Sequence, residues 1–376
     1  MMGELHTRRL ERILAVSGIS IAALALAMVF LPRILSREER GDAFPAGPAA
    51  GDALPSAVEA DIRAALARGD FAGALTRVSA AEERYPAAAR LKLFRAHIAI
   101  QLGRPEMAAR AIADAVRLAP ENPETLLHAA VYANALGNDL LAEKLYLEIL
   151  RRDGKNVNAA RGLSTTYLRA GAWAAAEEVA RKGLLADPKD AFLHMNIARS
   201  LHARGDFATA VGHLEAYRKG GGPDNAWIQH ALADCAIALG RPADEIVRHY
   251  EKAMALDPRY LPALNDYIVF LSDNRQAARA VDLCGRLLTS AGRRGFALDT
   301  AGYAHLMAGR YAAAGEFLAE GLKREPDHPE ILFHTALLLR KTGASERSIE
   351  YYRKAIERAG TDPRLRKKME EAYRRG

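Results

Sequence analysis

Cysteine is almost absent from this chain, whose 376 residues include only Cys235 and Cys284. With no CxxC and no Cys/His cluster, neither a disulfide framework nor a thiolate metal site can organise it. Both cysteines fall in apolar helical runs and read as buried free thiols. Aromatics are sparse at 7%, and no basic stripe is interleaved with them, so nucleic-acid binding is not expected. The net charge of +7 comes from 53 basic and 46 acidic residues, scattered over the whole length. Paired carboxylates, HExxH, GxSxG and any nucleophile–base constellation are missing. The histidines form no i, i+3 or i, i+4 pairs of the kind that grip a metal on a helix. No enzyme, cofactor or metal site is therefore expected.

Long hydrophobic runs are also scarce, with one exception. "ILAVSGISIAALALAMVFL", Ile13 to Leu31, is uncharged and long enough to span a bilayer as a helix of about 20 residues. It is longer than a signal-peptide core and lacks a small-residue cleavage site at its end, so an uncleaved anchor over 13–33 is expected. Arg8, Arg9 and Arg12 would hold the amino tail, 1–12, in the cytoplasm. Arg33, Arg37 and Arg40 make the basic count nearly even across the span. The basic tail, and the lack of Lys or Arg between Arg40 and Arg63, favour placing the bulk of the chain outside the cytoplasm. The expected location is a bacterial inner membrane, crossed once, with the folded part in the periplasm. The reverse topology, a scaffold facing the cytoplasm, is the alternative. The Pro/Gly-rich stretch in 34–55 reads as a tether.

What the chain has in abundance is repetition. "ARGDFAGA" begins at Ala67 and "ARGDFATA" at Ala203, and the 136 residues between the two starts are four times 34. A period of 34 is that of a helix–turn–helix array, which displaces a cell-adhesion reading of Arg-Gly-Asp. Gly69, Gly103, Gly137, Gly171 and Gly205 keep this spacing, Gly240 follows at 35, Arg275 stands where a Gly is due, and Gly309 and Gly343 resume the 34-residue step. Five residues past most of them lies an Ala: Ala74, Ala108, Ala142, Ala176, Ala210, Ala280 and Ala314. Pro86, Pro120, Gly154, Pro188, Pro258 and Pro326 close units. Each residue type has a physical task. The Gly ends the first helix in a left-handed conformation, the Ala lets the second helix approach the first, and the Pro stops the second helix. Arg204 and Asp206, read as turn surface, are expected to tolerate alanine within about 0.5 kcal/mol.

This pattern resembles the tetratricopeptide repeat, most clearly in "GLSTTYLRAGAWAAAEEVARKGLLADP" (Gly162–Pro188) and "GYAHLMAGRYAAAGEFLAEGLKREP" (Gly302–Pro326). The resemblance implies an all-α solenoid of about nine repeats over 56–360, wound as a right-handed superhelix. The polar segment 361–376 reads as a capping helix. "KGGGPDN" (Lys219–Asn225) lacks the Lys-Ser/Thr of a phosphate loop and reads as a break between repeats, a joint between two half-arrays.

Arrays of this family grip an extended or helical segment of a partner protein on the face of their first helices. With the turn Gly counted as position 15, positions 2, 5, 9 and 12 form one stripe. That stripe contains Asn158, Arg161, Phe192, Met195, Arg199, His202, Trp227, His230, Asp234, Asn265, Asp299 and Tyr303, to which Asn196 at position 6 is added. The candidate groove residues are Arg161, Phe192, Asn196, Arg199, Trp227, His230, Asn265 and Tyr303. The early part is basic and the later part acidic. Neither the carboxylate clamp of chaperone-binding members (Arg161, Thr165, Asn196 and Trp227 in the best register) nor an asparagine ladder (Asn196 alone) is satisfied. Similarity of the last two units to envelope-assembly and exopolysaccharide arrays implies a membrane-anchored assembly scaffold in envelope assembly, secretion or polysaccharide export. Arg161→Glu with Arg199→Glu is expected to weaken binding and leave the helices intact.

Overall fold

The computed structural model describes residues 54–360 and 362–375. These form 19 α-helices and, among the described residues, no strand. They divide into two compact units between Gly221 and Gly222, inside the Lys219–Asn225 break. The first unit contains α1 (Ser56–Ala67), α2 (Phe71–Arg84), α3 (Ala89–Gln101), α4 (Pro105–Leu118) and α5 (Pro123–Ala135). It continues with α6 (Asp139–Arg152), α7 (Val157–Arg169), α8 (Trp173–Leu184), α9 (Ala191–Ala203) and α10 (Phe207–Lys219). The second holds α11 (Ala226–Ala238), α12 (Ala243–Leu256), α13 (Leu261–Asp273), α14 (Ala277–Ala291) and α15 (Gly295–Met307). Its last helices are α16 (Tyr311–Arg324), α17 (Pro329–Lys341), α18 (Ser345–Arg358) and α19 (Pro363–Arg375). The described residues thus form nine helix hairpins and a last single helix.

The turn glycines carry the local geometry that the spacing predicts. Gly69, Gly103, Gly137, Gly171, Gly205, Gly240, Gly309 and Gly343 all have φ between 63° and 86°. Arg275 adopts the same conformation at φ 60°, so the departure from the repeat pattern changes the residue and not the turn. Both copies of "ARGDF" are interhelical turns. Asp70 accepts the Gly73 N–H at 2.8 Å and Asp206 the Thr209 N–H at 3.2 Å, each capping a second helix. This corrects the expectation for Asp206. Its replacement by alanine removes an N-cap, typically worth about 1 kcal/mol, whereas Arg204 makes a surface ion pair with Glu177 at 2.6 Å, of little net worth.

The Ala column is fully buried at Ala74, Ala108, Ala142, Ala176, Ala210, Ala280 and Ala314. In the last hairpin Ser348 takes that place, also buried, and its hydroxyl donates to the Ala336 carbonyl at 2.8 Å. A Cβ placed on Gly162 would lie 2.2 Å from the Tyr146 ring, so α7 approaches the buried Tyr146 of α6 closely only because residue 162 has no side chain. Pro86, Pro120, Pro258 and Pro326 lie just past the ends of α2, α4, α12 and α16. Within each unit the first helices stack on the next first helices, as α3 on α5, α5 on α7, α7 on α9, α11 on α13, α13 on α15 and α15 on α17. The second helices form the other layer. Cys235 and Cys284 are buried free thiols. α19 sets Met369 into a cluster with Leu332, Phe333 and Ala355, and its Tyr373 stacks on Tyr352 at 4.0 Å.

Among the described residues no helix is long and apolar enough to cross a membrane. The expected anchor, 13–33, lies outside the described residues, as do the tail 1–12 and all but the end of the tether.

Candidate functional site

All eight candidate residues lie on first helices, from α7 to α15. Four belong to the first unit (Arg161, Phe192, Asn196, Arg199) and four to the second (Trp227, His230, Asn265, Tyr303).

In the first unit α7 and α9 bring three of the four together. The Arg161 guanidinium donates to Asp190 through Nε at 2.7 Å, donates to Asn158 at 3.2 Å, and lies 5.3 Å over the Phe192 ring. Asp190 is wholly buried and also caps α9 by accepting the Leu193 N–H at 2.7 Å. Asn196 is buried. Its amide donates to Ser164 Oγ at 2.8 Å and Thr165 Oγ1 at 3.0 Å, so it fastens α9 to α7. An Arg161→Glu change would set a second carboxylate against Asp190, striking the fold as well as the face, and this corrects the expectation that it would act on binding alone. Breaking a buried pair costs about 3–5 kcal/mol, and the partly exposed Arg161 lowers that figure. Neither α7 nor α9 contains an Asp or Glu. Further toward the amino end Arg90 bridges Glu59 of α1 and Glu124 of α5, at 3.3 Å each. Burial, followed by the charges of Arg90, Arg63 and His97, holds the His128 imidazole down at about 4.

The second unit shows a regular ladder. The residue at position 5 of each first helix meets position 6 of the next. His230 Nε2 lies 2.8 Å from Asp266, the Thr300 hydroxyl donates to Asn265 at 2.6 Å, and His334 Nδ1 lies 2.8 Å from Asp299. Asn265 also donates to Asp266 at 3.1 Å, so the rungs connect. The Tyr303 ring stacks on His334 with centroids 4.3 Å apart, and its hydroxyl donates to Asp273. His230, Asp299 and Thr300 are buried. Burial opposes a charge on His230, but the Asp266 hydrogen bond and the charges of Asp234 and Asp266 outweigh it and raise its pKa. The Tyr303 phenol is raised by burial and by Asp273 and Asp299.

Asp266, Asp273 and His334 were not among the candidate residues, although one signal for them is in the sequence. The helices α11, α13 and α15 contain four Asp (Asp234, Asp266, Asp273, Asp299) and no Lys, Arg or Glu. His230, Asp234 and Asp266 also place three ligand atoms within 4.8 Å of one another, a donor set that could hold a divalent metal ion. Histidine spacing misses it because two donors are carboxylates and one comes from the next repeat. His230 and Asp266 already satisfy each other.

Comparisons with known proteins agree with the repeat architecture. A family model described as tetratricopeptide repeat matches residues 60–123, 95–155, 195–260 and 300–363, together more than half of the chain. A search of curated proteins found no match. Among solved structures, the Cut9 and Hcn1 hetero-tetramer of the APC/C is similar over 79% of this chain and 58% of that one, with 14% identity and a TM-score of 0.50. Pseudomonas aeruginosa pilF is similar over 54% of this chain and 92% of that one, at 18% identity and 0.48. PilW, a type IV pilus biogenesis factor, covers 55% and 96%, at 17% and 0.48. Likeness at these identities is one of fold. The repeated match along the chain and the nine hairpins with their Gly turns and buried Ala column establish that this chain belongs to the tetratricopeptide repeat family.

Proposed function

We propose that this chain is a membrane-anchored scaffold that holds segments of partner proteins on the first-helix faces of its two units, in the assembly of a bacterial envelope, in secretion or in polysaccharide export. The fold itself is that of a protein-interaction scaffold. The observation that supports binding at the first-helix face is its distribution of side chains. Arg199 and Phe192 in the first unit, and Trp227, Asp266 and Tyr303 in the second, remain partly exposed among otherwise buried repeat contacts, and aromatic and Arg side chains are the usual anchors of interfaces. Catalysis, the alternative class, lacks a nucleophile to carry it among the cysteines. Both thiols are pushed up to about 12, chiefly by burial, and a thiol rather than a thiolate is a poor nucleophile.

The anchor reading rests on the uncharged run from Ile13 to Leu31. A reporter active only outside the cytoplasm, fused after Gly376, is expected to be active. A silent fusion, together with an active cytoplasm-only reporter, would establish the cytoplasm-facing alternative. The binding face is tested by capturing a partner with wild-type protein and titrating it against Trp227→Ala, with circular dichroism as folding control. A loss of about 2 kcal/mol or more is expected of an interface anchor. Unchanged affinity would move the site to the second-helix face, where Leu140 is 82% exposed and Leu147 on the same helix 46%.

A further inference from the structure

We propose that a second copy of this chain docks on α6, helix against helix and antiparallel, through Leu140 and Leu147. This goes beyond the first-helix faces and concerns the layer of second helices in the first unit.

Leu140 is 82% exposed and Leu147 46%. They are the second and ninth residues of α6, and a separation of seven places them on one face. The repeat does not require leucine there. In the other eight second helices these two positions hold only Ala, Gly, Ser or a charged residue, as Ala72 and Ser79 do on α2 and Glu346 and Arg353 on α18. Two outward leucines are therefore peculiar to this helix, and covering them takes apolar surface out of water. Between them stand Glu143 and Lys144. Positions i, i+3, i+4 and i+7 together make the kind of hole that a side chain of a facing helix enters. A shallow groove of about 330 Å³ follows this face and is lined further along by Glu148 and Arg151.

The charges around the leucines suit a copy of the same helix. In a two-fold contact residue i meets residue j and j meets i. The midpoint between Leu140 and Leu147 is also the midpoint between Glu143 and Lys144. An axis that sets Leu140 against Leu147 of the second copy therefore brings Lys144 to Glu143 twice. Lys144 is exposed and has no ion pair or hydrogen bond among the described residues. Glu143 accepts the Tyr167 hydroxyl at 2.9 Å, which leaves its charge in place. Asp139 and Glu148 also meet across this axis, but arginines of the same chain already hold both. Asp139 pairs with Arg169, and Glu148 with Arg151 at 2.8 Å and Arg152 at 2.6 Å. Within α6 three acids balance three bases, and α4 and α8, the second helices before and after it, carry two of each. These helices thus present no net charge to repel a copy, although the whole chain is +7. A strongly acidic or strongly basic segment would gain nothing from them.

One helix pair buries less than the roughly 1,600 Å² of a standard interface, so the dimer should be weak and concentration-dependent. The test is the protein mass of the full-length chain in detergent, by sedimentation velocity over a concentration series, with circular dichroism as folding control. The mass is expected to rise from one chain to two. Leu140→Ala with Leu147→Ala should weaken self-association at least about tenfold, since each leucine buried at the contact is worth that much or more. Lys144→Glu alone sets like charges against Glu143 of the second copy and should weaken it too. Adding Glu143→Lys restores opposite signs and should recover most of that loss. A single-chain mass up to about 1 mM overturns the proposal. So does a dimer indifferent to the alanine changes or to Lys144→Glu, or a double exchange no better than the single one. If the wild-type chain stays monomeric and a captured partner is lost with the two alanine changes, α6 docks a different protein, and the proposal falls. The response of that partner to Trp227→Ala is a separate measurement, so the first-helix reading stands or falls on its own.

Discussion

The imidazole of His230 lies 2.8 Å from the Asp266 carboxylate one repeat away, and this pair is one rung of the ladder that ties the first helices of the second unit together. A stacked array has contacts only between neighbours, so each rung acts on local stability more than on the whole.

The pKa of His230 is raised in the folded chain, so the folded state binds a proton more tightly than the unfolded state does. Its contribution is complete below the unfolded value of about 6.5 and is lost as pH rises through the folded value. His230→Gln should therefore lower the melting temperature of the second unit more at about pH 5.5 than at about pH 8. An equal loss at both pH values in calorimetry would show that the rung does not titrate.

His128 has the opposite sign. It is held at about 4, mainly by burial, so the unfolded chain takes up its proton first as pH falls. Stability of the first unit should drop between about pH 6.5 and about pH 4, by at most on the order of 3 kcal/mol from this group. His128→Leu should flatten that slope. Chemical denaturation followed across this range measures it.

Arg275 holds a left-handed turn at φ 60° where the other repeats use glycine. Relief of about 1–2 kcal/mol of steric cost is partly offset by the greater freedom glycine has when unfolded, about 0.4–1 kcal/mol. Arg275→Gly should therefore stabilise by about 0.5–1 kcal/mol in a urea titration. A destabilised variant would mean that the arginine side chain contributes more than its backbone costs.

Close helix approach should be intolerant of added atoms. Ala176→Leu, at a fully buried site, should cost about 1–3 kcal/mol by overpacking. Gly162→Ala should cost at least as much for its single carbon, because that carbon falls on the rigid Tyr146 ring. Hydrogen exchange should show the damage confined first to the affected and adjoining hairpins.

The sequence by itself determined the hairpins. Left-handed turns at a 34-residue step, a small residue five positions later and a Pro after the second helix act through backbone torsions and contacts between adjacent helices. Their meaning is therefore local and survives one substitution, as Arg275 shows. The break at Lys219–Asn225 was legible for the same reason, since three glycines and a proline cannot continue a helix. Helical periodicity also picked out the face that carries Arg161, Phe192, Trp227 and Tyr303. It could not tell which residues on that face are used up in holding repeats together. His230 lies on the stripe and Asn196 beside it, yet both are buried, and the partners of His230, Asn265 and Asp299 stand 35 or 36 residues away. Those pairings depend on the rotation and offset between stacked first helices and on the rotamers they permit. No spacing within one helix encodes them, so only the tertiary structure could separate the rungs of the ladder from the carboxylates left facing outward.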